Sequence, residues 1–186
     1  MKKKKNSNLL SLRNNNKFLQ RIIRVNHAGE YGAIYIYSGQ EFIFKNSPIK
    51  NFLILREITE MKKQEEKHFH YFNKKIKEQK IRPTVLLPIW RIFGMFLGVG
   101  TAIISKKAAM ACTIAVEEVI EKHYKEQFLH LKNGELKETI GKFRDEELKH
   151  KNIAIKYNPK NTFGYKILSL FIKTCCKSAI YLSRLI

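Results

Sequence analysis

Apolar residues recur at helical spacing along most of the chain, and short polar or proline-containing segments interrupt them. The interruptions are Asn46-Ser47-Pro48, Arg82-Pro83, Asn133-Gly134 and Asn158-Pro159, which are typical ends of helices. The pattern predicts helices at about 17–46, 49–80, 92–105, 106–132, 135–157 and 162–186, with little strand signal. We therefore expect an all-α protein whose residues 17–186 form one domain.

The first 16 residues are basic and precede the first predicted helix. Lys2 to Lys5 is followed by no sustained apolar run and no small-residue cleavage site, so the segment does not resemble a secretory signal. A mitochondrial transit peptide would be longer and richer in arginine. Residues 1–16 are therefore predicted to form a basic, flexible arm.

Basic residues outnumber acidic ones by 36 to 16, which gives a formal net charge of +20. Such a surface favours polyanions or anionic membranes. Because no nucleic-acid recognition motif accompanies the charge, we expect a membrane surface as partner and no nucleic acid. The cysteines, Cys112, Cys175 and Cys176, form neither a disulfide framework nor a Cys-x-x-Cys metal motif, which favours a reducing compartment.

A glutamate followed some thirty residues later by Glu-x-x-His occurs twice in the chain. The two copies are Glu30 with Glu65 and His68, and Glu117 with Glu147 and His150. Residues three apart share a helix face, so each Glu-x-x-His presents an oxygen and a nitrogen in one direction, and the lone glutamate comes from the preceding helix. Four helices then supply four carboxylates and two imidazoles, the ligand inventory of a ferritin-like di-metal bundle.

Chance is the alternative explanation, because a chain this rich in glutamate produces a Glu-x-x-His match about half the time. Two features favour the metal interpretation over solvated helix charge. Both motifs have a partner glutamate at a similar distance, 35 and 30 residues upstream. Glu30 and Glu117 also lie in apolar surroundings, where an unpaired carboxylate would be costly to bury and a dication would stabilise it.

Two predicted helices carry no ligand and are strongly apolar. Residues 92–105 have no charge between Arg91 and Lys106, which is too short a stretch to span a bilayer and suits an interfacial, re-entrant or buried helix. The sixth helix is apolar except for a basic stripe at Lys166, Lys173, Lys177 and Arg184. A stripe of this kind is typical of a membrane-surface helix, and a core helix with one wet edge is the alternative. The expected architecture is a ferritin-like four-helix bundle with two additional apolar helices.

Several blocks of the sequence resemble the demethoxyubiquinone hydroxylase family of ubiquinone biosynthesis. They are RIIRVNHAGEYGA at 21–33, RPTVLLPIW at 82–90, AMACTIAVEE at 109–118, FRDEELKH at 143–150 and AIYLS at 179–183. The resemblance runs from about residue 18 to the C-terminus. It implies two Fe ions as cofactors, with Glu30, Glu65, His68, Glu117, Glu147 and His150 as their ligands.

The resemblance also implies an activity and a location. The activity is that of a di-iron monooxygenase that uses dioxygen to hydroxylate the ring of a polyprenylated methoxy-methyl-benzoquinol, with electrons from the quinol or from a reductase. One oxygen atom enters the ring and the other leaves as water. The implied location is peripheral, on the cytoplasmic face of the inner membrane in a bacterium or the matrix side of the mitochondrial inner membrane in a eukaryote. A homo-oligomer or other ubiquinone-biosynthesis proteins are further implied partners.

Further polar residues are predicted to lie around the ligands. Arg21, His123 and Tyr124 are similar to polar residues that surround the metals in this family, and ordinary helix surface is the alternative. Asn26 stands where the family often has aspartate. An iron-storage or ferroxidase protein, a manganese-containing relative and a non-enzymatic basic membrane-binding protein remain alternative interpretations.

Overall fold

The computed structural model describes residues 2–48, 51–161 and 164–186, with side chains from residue 16 to 160 and from 164 onward except at 49 and 50. Every regular element in these ranges is helical, so the all-α prediction is confirmed. The elements are α1 (Lys2–Asn46), α2 (Phe52–Glu78), α3 (Leu87–Ile104), α4 (Lys106–His130), α5 (Glu135–Ile155), a 3-10 helix (Pro159–Asn161) and α6 (Tyr165–Leu185).

Side-chain caps begin two of the helices, α2 and α4. The Asn51 side chain accepts a hydrogen bond from the Ile54 amide at 3.2 Å and starts α2. Ser105 separates α3 from α4 because its backbone is extended, and its hydroxyl accepts from the Ala108 amide at 3.0 Å. The third helix begins at Leu87 rather than near 92, since Pro88 is tolerated in a first helical turn.

The first helix begins at Lys2 rather than near residue 17. Residues 2–16 contain neither proline nor glycine, so the sequence has no residue that would end the helix there. The side chains of residues 1–15 lie outside the described part of the chain. The flexibility of a 1–16 arm therefore stays a prediction, as does the assignment of 17–186 as one domain.

Helices α1, α2, α4 and α5 form a four-helix bundle. One buried cluster contains Tyr37, Ile58, Met110 and Ala154, one from each of these helices. The short loops make α1–α2 and α4–α5 antiparallel hairpins, and the two hairpins bury their apolar faces against each other. Helix α3 packs along α1, and α6 packs on α4 and α1, so the expected bundle with two additional helices is confirmed.

Close contact between α1 and α3 depends on glycine. A Cβ atom at Gly98 would lie 2.0 Å from the Ile36 carbonyl oxygen, and one at Gly94 would lie 2.7 Å from that of Gly32. Residue numbers increase in the same direction along both helices in these contacts, so α3 runs parallel to α1. Their backbones approach as closely as the Gly94-x-x-x-Gly98 spacing allows.

Helices α3 and α6 leave broad apolar faces exposed. Phe96 is 79% exposed and Ile167 is 76% exposed. Further exposed apolar residues are Ile89, Ile92, Ile103 and Ile104 of α3 and Leu170, Phe171, Leu182 and Leu185 of α6. Among the described residues, α3 is the one helix whose 18 residues and mean hydropathy of 1.7 would suffice to cross a membrane; 22% of it is buried.

The basic stripe of α6 lies beside this apolar face rather than within it. Lys173 forms an ion pair with Glu118 of α4 at 2.5 Å. Lys177 and Arg184 line a cavity between α4 and α6. The stripe therefore marks the edge where α6 meets α4, and Lys173 already has an acidic partner there.

Candidate metal centre

The six residues of the duplicated motif meet inside the bundle. Each is at most 2% exposed, and α1, α2, α4 and α5 provide them. Their ligand atoms form two groups of four, each lying within 4.8 Å: Glu30, Glu65, His68 and Glu147 in one, and Glu65, Glu117, Glu147 and His150 in the other. We name these groups site A and site B. Glu65 and Glu147 belong to both, so either carboxylate can bridge the two sites.

Both imidazoles direct Nδ1 toward the carboxylates. His68 Nδ1 lies 3.1 Å from Glu147 Oε1 and 3.5 Å from Glu30 Oε2. His150 Nδ1 lies 3.1 Å from Glu65 Oε1 and 3.2 Å from Glu147 Oε2. The two Glu-x-x-His motifs thus present one nitrogen each to a common set of oxygens.

The unpaired atoms of the cluster fit metal ions. Six buried carboxylate oxygens, from Glu30, Glu65, Glu117 and Glu147, and the Nδ1 atoms of His68 and His150 make no hydrogen bond with any described residue. Buried polar atoms without partners are rare, because each costs about 1–3 kcal/mol or more. A divalent cation at each site would satisfy all of them, and oxygen and imidazole ligands suit iron, manganese or zinc.

The charges of the cluster perturb its pKa values strongly. Burial raises the pKa of Glu117 to about 8, and repulsion from Glu147 adds to this effect. Burial and the same repulsion raise the pKa of Glu65. Burial alone would lower the pKa of His68, but the carboxylates of Glu147 and Glu30 raise it to about 12. Without a metal, the cluster therefore needs protons to balance its carboxylates.

The glutamates next to the ligands in the sequence lie on other faces of their helices. Glu66 is exposed, whereas Glu65 is fully buried. Glu146 does not join the cluster of oxygens either, but its Oε2 lies 2.6 Å from His68 Nε2. Gln64 Oε1 contacts His150 Nε2 at the same distance. The sequence did not predict these two contacts, because each one crosses between helices.

Two buried tyrosines hold the remaining carboxylates. The hydroxyl of Tyr124 donates to Glu30 Oε1, and the hydroxyl of Tyr37 donates to Glu117 Oε1. Burial and the nearby carboxylates raise the pKa of both phenols, so both keep their protons. Tyr37 was not predicted, although it stands seven residues after Glu30 as Tyr124 stands seven after Glu117. That repeated spacing is the signal that could have found it.

The other candidates from the sequence lie farther out. Arg21 is exposed and lines a cavity together with His123 and Arg184. His123 Nε2 lies 2.7 Å from Gln127 Nε2, and the Gln127 amide exchanges two hydrogen bonds of 2.8 Å with Asn26. Asn26 therefore forms a neutral amide pair. Tyr124 is the candidate that contacts a ligand directly, and a role of Arg21 and His123 at the metals stays a prediction.

A narrow apolar cavity lies between the cluster and the outer helices. It has a volume of about 80 Å³, and its wall comes from α1, α3, α4 and α6. Gly29 and Val116, which adjoin Glu30 and Glu117 in the sequence, line it together with Trp90 and Cys176. The Trp90 indole donates to Ser183 Oγ at 2.9 Å and ties α3 to α6 across the cavity.

Four helices that deliver Glu and Glu-x-x-His to one buried cluster define the ferritin-like class of bundle. The sequence matches the family described as ubiquinone biosynthesis protein COQ7 over residues 17–183. The chain belongs to this family, which confirms the resemblance seen in the sequence.

Curated relatives cover most of the chain. The NADPH-dependent 3-demethoxyubiquinone 3-hydroxylase, mitochondrial, of Dictyostelium discoideum is 44% identical over 172 residues, which are 90% of this chain and 77% of the relative. The 3-demethoxyubiquinol 3-hydroxylase of Rhodospirillum rubrum is 42% identical over 89% of this chain and 77% of its own. The mitochondrial 5-demethoxyubiquinone hydroxylase of Saccharomyces cerevisiae is 39% identical over 88% and 76%.

Proposed function

We propose that this protein is a di-iron monooxygenase that hydroxylates the ring of demethoxyubiquinol in ubiquinone biosynthesis. The relatives are named as hydroxylases of this quinone. The observation that carries the proposal is the buried cluster with its unpaired ligand atoms, which lies next to an apolar cavity. The cavity offers an apolar site for a ring or prenyl tail beside the metals.

Two Fe ions would be held at sites A and B. The ligands would be Glu30 and His68 at site A, Glu117 and His150 at site B, and Glu65 and Glu147 between them. When bound, the iron pair supplies the electrons and coordination positions for activating dioxygen. Manganese remains the alternative metal.

The protein's own residues orient and shield this chemistry. Tyr37 and Tyr124 fix the rotamers of the two non-bridging glutamates and keep one carboxylate oxygen of each occupied. The apolar wall of the cavity excludes bulk water, which would otherwise compete with the substrate for the reactive centre. The contact between Trp90 and Ser183 holds α3 and α6 in place around the substrate.

We infer that the substrate is reached from a membrane surface. A polyprenylated quinol stays in lipid, and the exposed apolar faces of α3 and α6 flank the cavity. Helix α3 packs along α1 as part of the helical bundle, and its other face is exposed. Peripheral docking through that exposed face would leave the rest of the bundle in water. The names of the eukaryotic relatives include the word mitochondrial. The location here would be the matrix side of the inner membrane in a mitochondrion, or the cytoplasmic face of the inner membrane in a bacterium.

The names of the relatives suggest a source of electrons for the reaction. Several are named NADPH-dependent, and we propose a reduced pyridine nucleotide as the electron donor here. A homo-oligomer or a complex with other ubiquinone-biosynthesis proteins stays a prediction.

Two alternative functions fit the molecule less well. A ferroxidase or storage protein would share the cluster, but the wide apolar faces of α3 and α6 do not suit the water-exposed surface of a soluble cage. A non-enzymatic membrane-binding protein would gain nothing from four buried carboxylates, which destabilise a metal-free bundle.

Replacing one ligand tests the proposal. Glu117→Ala removes a non-bridging carboxylate of site B, so we expect iron content to fall from two per chain toward one and quinol hydroxylation to fall at least about 100-fold. Iron would be measured by mass spectrometry, hydroxylation by chromatography of the quinones, and helicity by circular dichroism. The exposed neighbour Glu66→Ala is the control and should keep full activity. Full turnover by the Glu117→Ala variant would exclude the assignment.

A further inference from the structure

The two halves of the cluster repeat each other with crossed contacts. Tyr37 follows Glu30 by seven residues but donates to Glu117, whereas Tyr124 follows Glu117 by seven and donates to Glu30. The residues that precede the bridging glutamates cross in the same way. Gln64 of α2 contacts His150 of α5, and Glu146 of α5 contacts His68 of α2. The α1–α2 hairpin thus supports the metal ligands of α4–α5, and the reverse also holds.

The crossed contacts to the histidines have the same geometry but different charge. Both distances are 2.6 Å, and in both the acceptor oxygen receives the Nε2 proton of a buried imidazole. Each contact therefore leaves Nδ1 free to bind metal. The acceptor is a carboxylate at His68 and a neutral amide at His150. The two halves of the cluster therefore differ in the charge of the group that accepts the histidine proton.

A carboxylate and an amide act differently on a metal-bound imidazole. A carboxylate that accepts the distal N–H makes the imidazole a stronger donor toward the metal than a neutral acceptor does. Residues in this position typically change metal affinity by about 10- to 100-fold. A hydrogen bond to a charged group is stronger away from water. The His68 side chain is 1% exposed and the Glu146 side chain is 22% exposed, so their contact is largely shielded from water.

We propose that Glu146 and Gln64 are positioning residues that make the two metal positions unequal, so that site A binds a divalent metal more tightly than site B and fills first. The inference rests on the proposed function, because it requires that the cluster holds two metals. It predicts ordered loading: the first ion binds with Glu30 and His68, and the second completes site B.

Exchanging the two acceptors tests the inference. Metal-free protein would be titrated anaerobically with Co²⁺, with calorimetry and visible absorption as readouts. The unaltered chain should show two steps that differ at least about 10-fold in affinity. Glu146→Gln should weaken the tighter step, and Gln64→Glu should strengthen the weaker one, so both variants should bring the two steps together.

The double variant Glu146→Gln with Gln64→Glu gives the sharpest result. It restores one carboxylate and one amide, so the two separate steps should return. A purely structural role predicts the opposite, because then Gln64→Glu would weaken binding and the double variant would bind worst. Circular dichroism would check that every variant keeps its helicity.

Two charge controls complete the test. Asp145→Asn removes a negative charge next to Glu146, and Lys67→Gln lowers the net charge of α2 by one. Both residues are exposed, so both substitutions should leave the two binding steps unchanged. Equal steps in the unaltered chain, or the same shifts in these controls, would overturn the inference. Absence of any Co²⁺ binding would instead contradict the proposed metal centre, and the two failures are thus distinguishable.

Discussion

At the scale of single residues, His27 is buried, and neither of its ring nitrogens lies within standard hydrogen-bond distance and angle of a described residue. It is 3% exposed, packs against Phe69 with 4.6 Å between ring centroids, and lies one helical turn before Glu30. Burial lowers the pKa of His27 from 6.5 to about 4, and Asn73 offsets only part of this effect. The residue is therefore neutral inside the folded protein at neutral pH.

This burial predicts a pH dependence of stability. Between pH 6.5 and about 4 the unfolded chain binds a proton at His27 that the folded protein does not bind, so the free energy of unfolding falls as the pH falls through this window. His27→Gln removes this titrating group and should make that part of the curve shallower, while His123, whose pKa burial also lowers to about 4, keeps its contribution. Urea denaturation of the metal-free protein at several pH values measures the slope.

The exposed residue His70 provides the matched control. His70→Gln should leave the slope between pH 6.5 and 4 as it is in the unaltered chain, since this side chain is exposed to water in the folded protein and in the unfolded chain. An identical slope in the His27→Gln protein and the unaltered protein would show that His27 is not held neutral by burial.

Single residues also show what the sequence could and could not predict about the site. The spacing of three selected Glu65 over Glu66 and Glu147 over Glu146, because one step along a helix turns a side chain by about 100°. The same rule says nothing of a partner on another helix. Gln64 and Glu146 act across the bundle, so their contacts became visible only once the hairpins were packed.

At the scale of elements, the position of α3 depends on its glycines. Adding a methyl group at Gly98 would bring a carbon within 2.0 Å of the Ile36 carbonyl oxygen, and backbone cannot move away as a side chain can. Gly100, two residues on, has no atom within 4 Å of the corresponding position. The same substitution at these two glycines therefore has different consequences.

We expect Gly98→Ala to lower the free energy of unfolding by about 1–3 kcal/mol, because it forces α3 away from α1. Gly100→Ala should be neutral or raise it by up to about 1 kcal/mol, because alanine favours a helix more than glycine does. Chemical denaturation followed by circular dichroism measures both. Equal effects at Gly98 and Gly100 would contradict the close backbone contact.

Helix ends show the limits of sequence patterns at this scale. The proline and glycine signals located the ends of α1, α2, α4 and α5 within a few residues, since these residues act on the local backbone. The start of α3 was missed, because the prediction followed the uncharged run that begins at Ile92, whereas the helix begins at Leu87 and has Pro88 in its first turn. The basic stripe of α6 was identified correctly as a pattern, but its contact with Glu118 depends on packing that no single helix reveals.

At the scale of the whole molecule, the proposed docking to a membrane would use both the charge and the exposed apolar surface of the protein. The net charge of +20 attracts the protein to an anionic surface from any direction. On that proposal, the exposed apolar faces of α3 and α6 and the stripe beside them would select one orientation, in which the cavity faces lipid. Orientation would matter because the quinol stays in the membrane and would enter from that side.

This orientation predicts how two sets of substitutions differ. Replacing Lys166, Lys173, Lys177 and Arg184 with glutamine should weaken binding to anionic liposomes and reduce its salt sensitivity, with little effect on neutral liposomes. Each cation near the surface contributes roughly 1 kcal/mol, and Lys173 contributes less because Glu118 already pairs with it. Replacing Ile92, Phe96, Ile167 and Leu170 with asparagine should weaken binding to both kinds of liposome, since it removes apolar burial.

Liposome co-sedimentation at several salt concentrations measures both effects, and iron content should stay at the unaltered level because none of these residues touches the cluster. Four exposed lysines of α2, Lys63, Lys67, Lys74 and Lys77, provide the matched control. Their replacement by glutamine removes the same charge from a helix that does not pack against α6, and it should reduce anionic binding less than loss of the stripe. If the α2 and α6 sets weakened binding equally, attraction would depend on net charge alone, and the stripe would have no part in orienting the protein.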